Sequence, residues 1–527
     1  MQKSINYPIG IQTFEKIIEG EYLYVDKTAL VYDLVSNNQF VFLSRPRRFG
    51  KSLLISTLEA YFKGRKDLFK GLAMERLEKD WKHYPVLRFD LSAENYENKE
   101  RLIGKISNYL FWYEKSLGLE SKGESISVRF FNVIKTAKEK ANERVVILID
   151  EYDKPLLDAL HDDKLKEDLR EELRGFYSVM KENDDYIHFA MLTGVTKFGH
   201  VSVFSGLNNL KDISLNPRYN KICGISETEF RENFQESVHN FAKANKWPED
   251  SVWKAFKVKY DGYRFCGEGE GIYNPFSILW AFSDNKFGDY WFRSGTPSIL
   301  VKSIKRRKYN LSDIEGGWFT ESDLSDISEP DRDYHALFFQ AGYLTIKGYE
   351  PSTLNPVTFF ATPEKYSLGF PNMEVRTGFW SALYRNYLFA DQQSSPFDEK
   401  GFIKDVETGN PQGFMERLQS LLSLISPGNS KKGEVHFQNE LQIIFRMLGF
   451  HVDTEITMAS GRTDMTIKTP SYVYIFEFKL DSTAEEAIKQ IHDKGYAMPY
   501  KSDPRKVFLI GANFDSNTNN IDNFLIE

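Results

Sequence analysis

Two stretches of this chain hold residue types whose spacing suits phosphate chemistry. The first is Arg45-Pro46-Arg47-Arg48-Phe49-Gly50-Lys51-Ser52. It follows the spacing G-x-x-x-x-G-K-[ST] of a phosphate-binding loop, with Arg45 where the leading glycine would stand. Gly50 lets the backbone turn and present its N–H groups. Lys51 is expected to reach the β- and γ-phosphates of a nucleotide, and Ser52 to offer its hydroxyl to Mg2+. Arg45, Arg47, Arg48, Phe49 and Leu53 complete the expected cradle, binding phosphate or shaping the loop. A helix opens directly after it, and a helix N-terminus favours anions. Farther along, Val145 to Ile149 form a continuous apolar run that delivers Asp150 and Glu151. A buried strand ending in two acids is where a metal-holding aspartate and a water-polarising glutamate belong, and Asp150 and Glu151 take those roles. Thr193, near the end of another apolar strand, is placed to sense the γ-phosphate, with Lys197 or Arg218 offsetting charge.

The second stretch lies near the C-terminus. Gly461-Arg462-Thr463-Asp464 precedes Tyr472-Val473-Tyr474-Ile475-Phe476-Glu477-Phe478-Lys479. Strand side chains alternate, so Glu477 and Lys479 share one face with Val473 and Ile475. Asp464 lies thirteen residues before Glu477, a separation that suits a neighbouring hairpin strand. Two carboxylates can hold Mg2+ against a scissile phosphate, and a lysine can stabilise the charge that develops on it. Asp464, Glu477 and Lys479 fit that reaction. Glu440, or else Glu434, would add a carboxylate from the preceding helix. Gln490 and Tyr496 could orient Lys479 or touch a nucleic-acid backbone. His436, His451 and His492 read as structural.

Both sets require strands that end at one edge and helices that begin there. Residues 39–44, 86–90, 145–149 and 188–195 read as buried strands, and 96–141 and 156–182 as helical. Strands alternating with helices predict an α/β domain over 1–222. A mostly helical region over 223–310 and a mixed connecting region over 311–427 follow. A second α/β unit over 434–527 has a helix from Val435 to Gly449, strands at 452–457, 463–468 and 472–480, a helix over 483–498 and a strand at 506–511.

The whole chain permits this. At 527 residues it exceeds what one core supports. Lys plus Arg number 68 and Asp plus Glu 75, a formal charge of −7 that excludes a polycationic binder but not a locally basic groove. Two cysteines, Cys223 and Cys266, exclude a disulfide framework and a four-thiolate zinc site. The mean hydropathy of −0.45 and the lack of a long apolar run predict no membrane span, and the N-terminus lacks a signal-peptide apolar region. A reduced cytoplasmic setting follows as the expectation. Aromatics reach 15% of the chain and are read as core packing.

With both sets assembled, the sequence resembles the bacterial AAA-ATPase-like proteins that carry a C-terminal PD-(D/E)XK nuclease-superfamily domain. The stretches that carry the resemblance are FLSRPRRFGKSLLISTLEAYF (42–62), VVILIDEYDKP (145–155), LTGVTKF (192–198), YDGYRF (260–265), YNPFS (273–277), GRTDM (461–465), YIFEFKLD (474–481) and AIKQIHDKGYA (487–497). The resemblance implies an AAA-like P-loop NTPase domain, a helical and mixed middle, and an α/β restriction-endonuclease-like domain. It implies ATP and Mg2+ as cofactors and makes Arg45 a family trait at the first loop position. Tyr24, Asp26 and Lys27 would help to enclose the nucleotide.

The leading expectation is an ATP-hydrolysing protein whose C-terminal domain hydrolyses phosphodiester bonds in DNA with Mg2+. A homo-oligomer, with an arginine supplied in trans, would fit it, and no membrane partner is expected. The alternatives are a regulatory ATPase whose C-terminal domain binds nucleic acid without cutting it, and a non-enzymatic partner-binding protein.

Overall fold

The computed structural model describes residues 5–120, 123–160, 162–197, 209–294, 311–325, 327, 334–356, 358–385, 397–423, 434–458 and 461–527. The chain forms two compact units. One comprises residues 1–295 and 317–374, the other 296–316 and 375–527.

The first unit is built on a parallel sheet. Strands β1 (Phe40–Ser44), β2 (Val86–Asp90), β3 (Val145–Asp150), β4 (Ile187–Gly194) and β5 (Lys211–Asp212) lie in the order β2-β3-β4-β1-β5. Every residue of β1 and β3 is buried, which is why both read as unbroken apolar runs. Helices α1 (Lys51–Phe62), α2 (Lys99–Leu117), α3 (Ile126–Ala141) and α4 (Asp163–Glu182) flank the sheet. The helix expected over 156–182 is two helices: a short one, Lys154–Asp158, precedes α4, which starts on an Asp162 cap.

The aromatic part of this unit, expected to be helical, packs Phe230, Phe234, Phe256 and Phe282 into one core, with the Phe256 and Phe282 rings stacked at 4.4 Å. Two of its helices reach the phosphate loop: α5 (Pro275–Asp284), capped by Asn274, and α6 (Tyr290–Ser294). Residues 345–350, 365–369 and 318–319 form a small antiparallel sheet. Glu374, in the first turn of α7 (Met373–Leu383), accepts from Ser277 Oγ at 2.7 Å and from Trp291 N–H at 2.8 Å. These bonds across 97 and 83 residues tie the segment to α5 and α6.

In the second unit, α8 (Glu434–Met447) leads into β6 (His451–Met458), β7 (Gly461–Lys468) and β8 (Tyr472–Leu480). Helix α9 (Ala484–Lys494) then crosses to β9 (Lys506–Asp515), followed by β10 (Asn520–Ile526). The order is β6-β7-β8-β9-β10, with only the β8–β9 pairing parallel. That one parallel step requires the α9 crossover. Val473 and Ile475 pack under Ile488, Ile491 and Tyr496. Tyr474, Phe476 and Phe478 face the other way, against Phe414, Phe445 and Phe514.

Among the described residues, no helix is long and apolar enough to cross a membrane. Cys223 and Cys266 are buried free thiols. The stretch 427–433 between the expected mixed region and second α/β unit, and the side chains of Glu434 and Arg462, lie outside the described residues.

Candidate nucleotide and phosphodiester sites

The register of the first sheet brings the expected residues to one edge. Leu43 pairs with Thr193 and Ser44 with Gly194 across β1 and β4, while β3 ends at Asp150 beside them. Gly50 takes φ +98°, with nothing within 4 Å of where a Cβ would stand, so left-handed backbone and not crowding demands glycine. Lys51 begins α1 and is 4% exposed. Its Nζ donates to the carbonyls of Arg45 at 3.1 Å and Pro46 at 3.4 Å, and lies 3.4 Å from Glu151 Oε1.

Asp150 is buried and accepts from Thr193 Oγ1 at 2.6 Å. Burial and the neighbouring Glu151 push its carboxyl up, against hydrogen bonds from Ser52 and Thr193 and the charge of Lys51. Glu151 holds φ +54°, a left-handed conformation that costs about 1 kcal/mol for a residue with a Cβ. Such a turn directly after a strand is a form of strain that concentrates at functional sites.

A cleft of about 400 Å³ opens over Gly50, Lys51, Ser52 and Leu53, with Arg47, Arg48 and Glu151 on its walls. An apolar cavity of about 110 Å³ adjoins it and shares Pro8, Ile17, Leu53, Pro275 and Leu279. Tyr24, Lys27 and Phe49 line that cavity. Ser52 and Asp150, linked by a hydrogen bond, are hard oxygen donors that suit Mg2+ completed by phosphate oxygens and water.

Arg45 is used differently from the expectation. Its guanidinium donates to the carbonyls of Ser44 at 2.9 Å, Ser214 at 2.8 Å and Tyr219 at 3.3 Å, and stacks 4.1 Å from the Phe265 ring centroid. Burial lowers its pKa to about 10, so it stays charged at neutral pH. Its side chain anchors the loop from behind. Arg47 and Arg48 remain exposed, with Arg48 5.2 Å from the Phe276 ring centroid. Lys197 pairs with Asp212 at 2.7 Å, and Arg218 pairs with Asp33.

Two residues that the sequence motifs do not single out complete the site. Asp153 is fully buried and accepts from the N–H groups of Val195 and Thr196 and from Thr196 Oγ1, at 3.1, 2.6 and 2.7 Å. It locks the end of β4 to the turn that carries Glu151. A third acid in Asp150-Glu151-Tyr152-Asp153 was the available signal. Trp291 donates its indole N–H to the Arg47 carbonyl at 2.9 Å, a contact across 244 residues that no local pattern announces.

In the second unit, Glu477 is 2% exposed and its Oε1 lies 3.2 Å from Lys479 Nζ. Gln490, on α9, bridges them: its Nε2 donates to Glu477 Oε1, and its Oε1 accepts from Lys479 at 2.7 Å. Tyr496 OH stands 3.5 Å from Gln490 Nε2. Asp464 Oδ2 accepts from the Phe478 N–H at 2.7 Å, which fixes β7 beside the Glu477 end of β8. Glu440, on α8, is buried with its Oε1 3.1 Å from His436 Nε2. Helix α8 covers the Phe476 face of the sheet, whereas Glu477 reaches α9 on the other. His451 and His492 pair with Asp453 and Glu527, at 2.9 and 2.6 Å.

Among the described residues, no group of three or more His, Cys, Asp or Glu is gathered to hold a metal ion. The donor chemistry of Asp464 and Glu477 still fits Mg2+, which commonly uses one or two carboxylates and completes its shell from water and substrate phosphate.

The family model described as "Predicted AAA-ATPase" matches residues 8–204, and that of the PD-(D/E)XK nuclease superfamily matches residues 432–524. The chain is also 36% identical over 530 residues to a protein of Azotobacter chroococcum mcd 1, described as an uncharacterized protein in the vnfD 5' region. That match covers 99% of this chain and 98% of the relative.

Proposed function

Because the chain belongs to the family of AAA-ATPase-like proteins that carry a C-terminal PD-(D/E)XK nuclease-superfamily domain, we propose that it hydrolyses ATP in the first unit and phosphodiester bonds of DNA in the second. The observation that carries the first half is the convergence of Lys51, Ser52, Asp150, Glu151 and Thr193 at one sheet edge beside a cleft. The triphosphate lies along the Gly50–Ser52 turn, and its charge draws Lys51 away from Glu151. Glu151 then orients the attacking water and accepts its proton. Thr193 holds the Asp150 carboxylate in register. The adjoining apolar cavity, walled by Tyr24 and Phe49, takes the base. Arg47 and Arg48, or an arginine from a second copy, offset the remaining phosphate charge.

In the second unit, Asp464 and Glu477 would hold Mg2+ without the expected help of Glu440, whose helix α8 covers the other face of the sheet and which pairs with His436. Held by those two carboxylates, Mg2+ would supply Lewis-acid polarisation of the phosphoryl oxygen and a lowered pKa for the attacking water. Lys479, positioned by Gln490, stabilises the charge developing on the phosphate. Titration calorimetry with ATP and Mg2+ tests the first half: wild type binds, and Lys51→Ala does not. Cleavage assays on DNA test the second half: Glu477→Ala abolishes cleavage, and retained cleavage removes the assignment. The alternative is a C-terminal domain that binds nucleic acid without cutting it. Binding without cleavage in either Mg2+ or Mn2+ would select it.

A further inference from the structure

Helix α2 presents a basic and aromatic outer face on a chain that is acidic overall. At about 100° per residue, Arg101, Lys105, Asn108, Trp112 and Lys115 fall within roughly 40° of one line. Phe111 and Tyr109 border that stripe on either side. No carboxylate falls on it. Glu114, the acid nearest its C-terminal end, turns inward and pairs with Arg129 at 2.8 Å. Phe111 and Trp112 are 52% and 59% exposed, with ring centroids 5.5 Å apart. Lys115 Nζ lies 5.2 Å from the Trp112 ring centroid, and Lys105 Nζ 5.3 Å from that of Tyr109. Among the described residues neither lysine forms an ion pair. Arg101 does, at 3.4 Å from Glu94.

We propose that this face of α2 binds single-stranded nucleic acid, with Phe111 and Trp112 stacking on bases and Lys105 and Lys115 on phosphates. The inference rests on the reading of nucleic acid as the substrate of the second unit. Its physical basis is a line of cations that carries one ring, Trp112, and is flanked by two more, Tyr109 and Phe111. A single strand offers a charged backbone and bases with exposed faces, and proteins that bind it combine basic tracks with aromatic platforms. A helix that lies in a membrane surface segregates its apolar and charged faces. A helix partner needs a continuous apolar seam. The α2 stripe has neither arrangement.

The test uses the full-length chain and a fluorescein-labelled single-stranded oligonucleotide, read by anisotropy across a salt series. The double variants Phe111→Ala/Trp112→Ala and Lys105→Glu/Lys115→Glu each weaken binding about tenfold or more. The lysine variant also lowers the salt slope by about 0.7 for each phosphate it no longer neutralises. ATP hydrolysis and the unfolding midpoint stay at wild-type values, since Phe111, Trp112 and Lys115 are exposed and Lys105 is half-buried and outside the ATP site. Wild-type affinity in both variants overturns the inference while leaving the nucleic-acid reading intact, provided the chain still cleaves DNA. Loss of binding to phosphatidylserine vesicles with unchanged oligonucleotide affinity overturns it in favour of a membrane surface. A wild-type chain that neither binds nor cleaves any nucleic acid overturns both.

Discussion

Among the described residues, Lys51 has three oxygens within reach, and only that of Glu151 carries charge. The lysine and the proposed water-activating acid therefore neutralise each other until phosphate arrives. Glu151→Gln is expected to keep ATP affinity within a few-fold of wild type and to slow hydrolysis by about 100-fold or more, measured by phosphate release. Asp153 poses a structural demand: replacing it by Ala leaves three buried donors without their acceptor. That change is expected to lower stability by about 2 to 4 kcal/mol, read from denaturant unfolding. Glu374 gives a pH signature. Burial pushes its carboxyl up to about 7 from an ordinary value of about 4.5, against hydrogen bonds from Ser277 and Trp291. Between those values the folded chain holds a proton that the unfolded chain has released. Its contribution to stability is thus full below about pH 4.5 and is lost as pH rises through about 7. Unfolding midpoints between about pH 5 and about pH 8 should decline less steeply in Glu374→Gln than in wild type. At this scale Gly50, Lys51, Asp150, Glu151, Glu477 and Lys479 were legible as candidates, because their types and spacings are local. The inward turn of Arg45 depends on Phe265 and on carbonyls about 170 residues away, as its bonds to Ser214 and Tyr219 record, and was not legible.

Among the elements, the buried parallel strands were the most legible, since burial on both faces writes itself as an apolar run. Strand β10 was not foreseen: Asn520–Ile526 mixes polar and apolar residues because it pairs with β9 on one side only. The helix expected to reach 498 stops at Lys494, where Gly495 takes φ +62° as its cap, and a separate turn covers Met498–Tyr500. Closeness between α9 and β9 is written in one residue. A Cβ on Gly511 would stand 2.7 Å from the Ala484 carbonyl and 2.8 Å from Ile488 N and Cγ1. Two of those atoms are backbone and cannot swing away, so Gly511→Ala must displace α9 and with it Gln490. That substitution is expected to cost about 1 to 3 kcal/mol in denaturant unfolding, and to reduce DNA cleavage more than ATP hydrolysis. Equal loss of both activities would contradict the idea that α9 positions the Glu477–Lys479 pair.

Over the whole chain, the alternation of strands and helices at each end was readable, but the assignment of the middle was not. Residues 317–374 join the N-terminal unit through contacts such as Arg264 N–H to Thr345 Oγ1 at 2.7 Å and Ser277 to Glu374. Pairings across some 80 to 100 residues leave no periodic trace. The aromatic excess is explained at this scale, since ring after ring packs in the cores of both units. Two acidic sites in one chain make the central claim a claim about chemistry at both. It is tested most directly by Mg2+-dependent cleavage of duplex, single-stranded and branched DNA in the presence of ATP, comparing full-length wild type, Lys51→Ala and Glu477→Ala. The account predicts cleavage by wild type, ATP binding lost only in Lys51→Ala, and cleavage reduced at least about 100-fold in Glu477→Ala with its ATP binding unchanged. Undiminished cleavage by Glu477→Ala, or none by wild type on any of these substrates, would contradict it.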